Sequence, residues 1–369
     1  MKKRNIIILL FVAVILISWG KYGHKKINFN STLSFNNAIA QFMSWSSGLE
    51  AHASDADDRK YANPPDPTEA PKHYIDIDNY PIFLLQNRIP QTWDSIVSQY
   101  GITAVKENGI LPWATINSFD TLVKCFHRSD FTKALLIASD LGHYIADGHM
   151  PLHITKNFDG QLTGNSGIHS RYESTMINAN ISQIVYLGDT NLNVIENVNQ
   201  YVFDYIYYNY KYKDSVLLAD NYAKSIAGGI TTSSVYTQAL WDKTKNFTIT
   251  LFKEASHKLA ELIYTAWVKS QTPLEISDFE VSNTVSFEQN SPNPFQNSTV
   301  FRFHSNKNMQ HIVFTIKDIS GKTVATLIDN NINAGSHVVE WAPTNLPKGI
   351  YFSVLQNGNS TITKKILYF

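Results

Sequence analysis

The chain of 369 residues contains one cysteine, Cys125, so an internal disulfide is excluded and stability must come from the core or from metal. It has no surplus of either charge: 31 Lys and Arg balance 31 Asp and Glu. A nucleic-acid binder driven by bulk electrostatics would show a basic excess, so any such binding has to come from a local groove. A membrane-spanning run is also lacking. The longest apolar stretch, residues 6–17, is too short to cross a bilayer. It follows Lys2, Lys3 and Arg4 and precedes the small Ser18, which is the order of a secretory signal, with Leu16 where a small residue is usual. Cleavage after Ser18 would leave Trp19 as the first residue.

What is present is helical spacing from about residue 30 to residue 270, interrupted by histidine and carboxylate clusters. Apolar periodicity predicts helices over residues 35–52, 81–100, 130–148, 172–184, 194–209, 215–229 and 248–270. Cys125 reads as a small buried hydrophobe within this region. An all-α domain over residues 19–271 is large enough to bury a core without disulfides. From Thr272 the pattern changes to short alternating stretches at 300–304, 311–317, 337–341 and 349–355, with turn signals at Ser320-Gly321, Ala334-Gly335 and Asn357-Gly358. The expectation there is a small β-sandwich over residues 285–369.

Residues 141–175, LGHYIADGHMPLHITKNFDGQLTGNSGIHSRYEST, carry the densest chemistry. His143 and Asp147 stand four apart, as do His169 and Glu173, so each pair shares one helix face and can converge on a cation. His153 lies between the frames, just after Pro151. Imidazole mixed with carboxylate, without thiolate, suits zinc or a similar ion in a site with open positions. His149 is out of frame with both pairs and is expected behind the ligands or at the surface. Two clusters lie upstream: WGKYGH at residues 19–24, and ASDADDRK at 53–60 followed by HYIDID at 73–78.

Taken in order, these motifs resemble the superfamily of zinc-dependent phospholipases C and single-strand-specific zinc nucleases. The resemblance implies an all-helical fold, three zinc ions and phosphate-ester hydrolysis. In that family the mature chain begins with Trp, whose amino nitrogen and carbonyl oxygen bind metal. Carried over, Trp19 and His24 hold one zinc and share Asp147 with a second, which also takes His73, His143 and an early Asp. His153, His169 and Glu173 hold the third. The early Asp falls best on Asp57, sixteen residues before His73, with Asp55 and Asp58 as alternatives. Asp57 and Asp147 are the expected catalytic carboxylates, and Arg59 or Lys60 could meet substrate phosphate or be solvated charge.

The branch is mixed. WGxxGH and HYID resemble the nucleases, whereas GIHSRYE, with Glu as last ligand, resembles the phospholipases. The substrate is accordingly phospholipid or single-stranded nucleic acid, and no stable protein partner is implied. A zinc-scavenging or adhesive surface protein without turnover would carry the same ligands, and an open cleft over them is what separates an enzyme from it. At the other end, NSPNPF (290–295), DISGK (318–322), AGSHVVEW (334–341), KGIYF (348–352) and the final TKKILYF resemble the C-terminal sorting domain of type IX secretion substrates. That implies export through the type IX machinery, to the medium or the cell surface, with no share in catalysis.

Overall fold

The computed structural model describes residues 20–271, 285–306, 308–319, 321–357 and 360–369. The leader 1–18 and Trp19, and with them the expectations placed on both, lie outside the described residues. The chain divides into two compact units, Met1–Thr272 and Pro273–Phe369.

The first unit is helical throughout. Its α-helices are α1 (Gly20–Ser31), α2 (Ser46–Ala51), α3 (Asp55–Lys60), α4 (Pro81–Gln86), α5 (Trp93–Tyr100), α6 (Ile102–Glu107), α7 (Leu111–His127), α8 (Phe131–Asp147), α9 (Ile168–Ser170), α10 (Ile177–Asn180), α11 (Val198–Tyr210), α12 (Tyr212–Ile226) and α13 (Ser234–Gln271). α13 is 38 residues long, about 57 Å at helical rise, and the bundle assembles along it: α1, α7, α8 and α12 all pack on it. Phe252, Leu259, Leu262, Ile263 and Ala266 face the common core with Leu122 and Phe126 of α7 and Leu141 and Ile145 of α8.

α8 is the element that carries the site. The Asp130 side chain accepts from the amide of Lys133 and starts the helix. Ala134, Ala138, Leu141 and Ile145 form its apolar stripe, and from Leu141 to Asp147 every residue is buried. α1 crosses α8 at Gly142, where an added Cβ would lie 2.1 Å from Asn28 Oδ1. Only the absence of a side chain allows that approach. Asn28 in turn donates to the carbonyls of Leu49 and Ser139, so α1, α2 and α8 are pinned at one point.

Several helix boundaries differ from the spacing. Residues 81–100 form two helices, because Asn87 takes a left-handed cap (φ 55) and Pro90 follows it. Residues 35–52 begin as a 3-10 segment, Asn37–Trp45, and residues 172–184 break into a π-turn (Arg171–Met176), α10 and a 3-10 turn. α1, α3, α6, α7 and α9 are additional to the expected set, and α13 starts at Ser234, fourteen residues before the spacing predicts.

The second unit is an antiparallel β-sandwich of β1 (Val285–Phe287), β2 (Thr299–Ser305), β3 (Met309–Lys317), β4 (Thr323–Ile332), β5 (Gly335–Trp341), β6 (Gly349–Asn357) and β7 (Ser360–Tyr368). The sheets run β1-β2-β5 and β4-β3-β6-β7. Phe287, Phe301, Phe303, Phe314, Trp341, Tyr351 and Ile366 fill the space between them.

Candidate metal centre

Four segments of the helical unit converge at the C-terminal end of α8. The inner face of α1 brings His24, the first turn of α3 brings Asp57, a 3-10 turn (Ala70–His73) brings His73, and α8 itself brings His143 and Asp147. Beyond α8, Pro151–Ile154 turns His153 inward, and the turn beginning at Ile168 supplies His169 and Glu173. All eight are buried, Asp57 and His169 being the most open at 6 %. They form three groups with ligand atoms within 4.8 Å of one another: His24, His143 and Asp147; Asp57, His73 and His143; His153, His169 and Glu173.

Asp147 stands at the middle. Its Oδ1 lies 3.0 Å from His153 Nδ1 and 3.7 Å from His24 Nε2, while Oδ2 lies 3.0 Å from His73 Nδ1 and 3.4 Å from His143 Nε2. Asp57 Oδ1 is 3.6 Å from both His73 Nδ1 and His143 Nε2. Among the three early carboxylates, Asp57 is the one brought in. Asp55 pairs with His52 and Asp58 with Lys21, both at the surface. Glu173 Oε2 lies 2.6 Å from His169 Nε2, and the His153 and His169 Nε2 atoms face each other at 3.2 Å.

Backbone carbonyls fix the ring orientations. His143 Nδ1 donates to the carbonyl of Ala53 and His169 Nδ1 to that of Phe158, leaving each Nε2 directed at the centre. Behind His73 stands Glu69, 1 % exposed, its Oε1 3.5 Å from His73 Nε2. Arg59, Lys72 and the Tyr144 hydroxyl hold Glu69 in turn. The EAPKH frame, with Glu69 four residues before His73, is a sequence signal for this pair that the clusters above did not include. Residues 75–78 are tied to the chain after His153: Ile75 N donates to His153 O, and Thr155 Oγ1 and Lys156 N donate to Asp78.

The electrostatics follow from this crowding. Burial opposes the charge on Asp57, but His143, His24 and Lys60 outweigh it, so the carboxyl lies well below its ordinary range. Asp147 is likewise held low against burial by His143 and His153. Burial and the charge on His143 keep His24 well below the usual imidazole value. Burial also opposes the charge on His143 and His153, but Asp57 and Asp147 push His143 up to about 9, and Asp147 with Glu173 pushes His153 up to about 10.

Both ring nitrogens of His24, Asp57 Oδ1, His153 Nδ1 and both oxygens of Glu173 are buried with no aligned hydrogen-bond partner. Burying such atoms is costly unless something else satisfies them, and nitrogen and oxygen donors at this spacing are what a borderline divalent cation requires. The residues therefore fit a metal.

A cleft of about 360 Å³ opens onto the centre, lined by His73, His153 and His169 with Lys60, Tyr61, Tyr74, Asp76 and Phe158. Lys60 Nζ lies 2.5 Å from Asp57 Oδ1. Arg59 turns away and pairs with Glu69 and Asp140. Burial and the neighbouring Asp78 push the Asp76 carboxyl up to about 6, against Lys156. His149 is fully buried, not at the surface: its Nδ1 donates to Ile145 O and its ring stacks on Tyr205 at 4.6 Å. Cys125 is buried in α7, as its surroundings in sequence suggest.

Residues 291–368 match the family of secretion system C-terminal sorting domains. This marks the protein for export and attachment at the cell surface through the type IX system. No curated protein matches the chain. Among solved structures it is similar to the alpha toxin of Clostridium absonum, at 11 % identity and a TM-score of 0.42, covering 94 % of this chain and 98 % of that one. It is also similar to the alpha-toxin of an avian strain of Clostridium perfringens, at 12 % identity and a TM-score of 0.43, covering 93 % and 97 %.

Proposed function

We propose that the helical unit is a metal-dependent hydrolase of phosphate esters that holds three zinc ions and acts on phospholipid or on single-stranded nucleic acid. The observation that carries this reading is Asp147, whose one carboxylate faces His24 and His153 through Oδ1 and His73 and His143 through Oδ2, directly behind the His73 and His153 that line the cleft. The three buried groups would hold the ions, with the Trp19 terminus completing the set at His24. Bound there, divalent cations lower the pKa of water and draw charge from a phosphoryl group.

The chain's own residues do the rest. Lys60 is the cation in the cleft placed to meet a phosphate oxygen beside Asp57. Tyr61, Tyr74 and Phe158 give the cleft an apolar wall for the rest of the substrate, against which an acyl chain or a base can lie. Ala53 O and Phe158 O hold the imidazoles of His143 and His169 in one orientation, so no rearrangement is needed as substrate enters.

The test assays purified protein against phosphatidylcholine, single-stranded DNA and RNA side by side, with metal analysis, chelation and zinc add-back. Hydrolysis of one of them that is lost on chelation and restored by zinc supports the reading. Folded, zinc-replete protein that cleaves none of the three overturns it.

A further inference from the structure

α1 has two faces. The inner one carries His24, Ile27 and Asn28 into the core, and the outer one carries Tyr22, Lys25, Lys26 and Phe29, spaced three to four apart. Tyr22 is 62 % exposed and Phe29 38 %, and the turn that follows α1 adds Leu33 at 42 %. The segment 181–189 runs along the same side. Ile181 and Ser182 close a groove of about 440 Å³ with Tyr22, Lys25, Lys26 and Phe29. Further on, the Tyr186 hydroxyl and the Asp189 amide both bond Ser34 Oγ, and Gly188, at φ 83, lies so close to Leu33 O that a Cβ would come within 2.1 Å. These ties leave Val185 and Leu187 facing solvent at 52 % and 88 % exposure.

Single exposed hydrophobes are ordinary, but five large ones along one stripe are not. Beside them Lys25 and Lys26 are half-buried and make no ion pair among the described residues. Glu50 is the acidic residue lining the groove.

We infer that this stripe of α1 and residues 185–187 docks the protein on an anionic phospholipid surface. Apolar and aromatic side chains enter the headgroup boundary while lysines with apolar stems extend to the anionic headgroups. A single-stranded nucleic acid would be held by ring faces, and Leu33, Val185 and Leu187 offer none. Lys21 joins the same face of α1 to Asp58 of α3 at 3.1 Å, and α3 carries Lys60 at the cleft. The choice of lipid as substrate rests on the hydrolase reading; the docking itself uses none of the clustered ligands.

The experiment sediments the full-length secreted protein with phosphatidylcholine vesicles, with and without one third phosphatidylglycerol, and runs a single-stranded oligonucleotide in parallel. The protein should bind the anionic vesicles more tightly. Val185→Asp with Leu187→Asp should weaken binding by on the order of tenfold or more. Lys25→Ala with Lys26→Ala should weaken binding to the anionic vesicles by roughly 25-fold. All three proteins should keep the same zinc content and the same hydrolysis of a water-soluble phosphodiester. Unchanged vesicle binding in both variants, no vesicle binding by the parent, or a loss seen on the oligonucleotide in place of the vesicles overturns the proposal. Docking without any hydrolysis would instead count against the enzyme assignment and leave the surface standing.

Discussion

His153 Nδ1 lies 3.0 Å from Asp147 Oδ1, and through that contact the group after α8 is joined to the group at its end. Removing the charge of Asp147 therefore disturbs both groups at once. Asp147→Asn is expected to lower metal content and turnover together, by at least the roughly 10–100-fold that loss of an outer partner of a metal ligand costs. Elemental analysis beside the phosphodiester assay checks it; three zincs per chain at near-normal rates would remove Asp147 from the bridging role.

The terminus gives a second expectation. An amide nitrogen inside a chain has no lone pair to donate as an amine does, so a ligand at Trp19 requires cleavage after Ser18. Protein with one extra Ala ahead of Trp19 should fold, because α1 and its packing on α8 and α13 are intact. It should hold less zinc than protein beginning at Trp19, and hydrolyse phosphodiesters more slowly. Equal stoichiometry and equal rates in the two would show that the terminus binds no metal.

A chain ending near Ser270 should keep its hydrolytic activity. The eight clustered residues described here, His24 to Glu173, all lie in the unit Met1–Thr272, and the sandwich has its own core around Phe301 and Phe314. A truncated protein that folds and binds zinc yet has no activity would assign the sandwich a part in catalysis.

Asp76 sets a pH window. Its folded value, about 6, is above the 3.8 of a free Asp, so folding favours its protonated form. The stability this contributes is complete below about pH 4 and is lost as pH rises through 6. Asp76→Asn, neutral throughout, should therefore be more stable than the parent at pH 7 to 8 by about 1 kcal/mol, with the difference vanishing near pH 3.5. Thermal melts at the two pH values decide it, and a gain that persists in acid would trace the effect to packing.

The ligand frames were legible because their geometry is local: His143 with Asp147 and His169 with Glu173 each need only one helical turn. The upstream residues His24, Asp57 and His73 were legible only through their order along the chain, since no local rule brings α1 and α3 to the end of α8. The spacing to His73 favoured Asp57 over Asp55 and Asp58, and the fold turns that one of the three inward. Leu111, Thr115, Phe119, Leu122 and Phe126 do repeat at helical spacing, yet Asn117, Ser118 and Thr121 dilute the stripe, and α7 is clear only when it packs on α8 and α13. In the sandwich, β4 alternates weakly because as an edge strand it buries little of either face. Glu69 was readable from its spacing to His73, but its importance comes from Arg59, Lys72 and Tyr144, three residues from separate stretches.

The His24 and His143 rings lie face to face, 3.7 Å apart and within 6° of parallel. Both imidazoles are candidate ligands of the metal centre, so α1 and α8 meet at its inner wall. The contact between α1 and α8 is thus part of the metal centre itself. One helical turn further along α1, Asn28 meets Gly142 and bonds Ser139 O, which fixes the same pair of helices. The helix that bears the lipid-facing stripe is therefore anchored through two of the residues that would hold the metal.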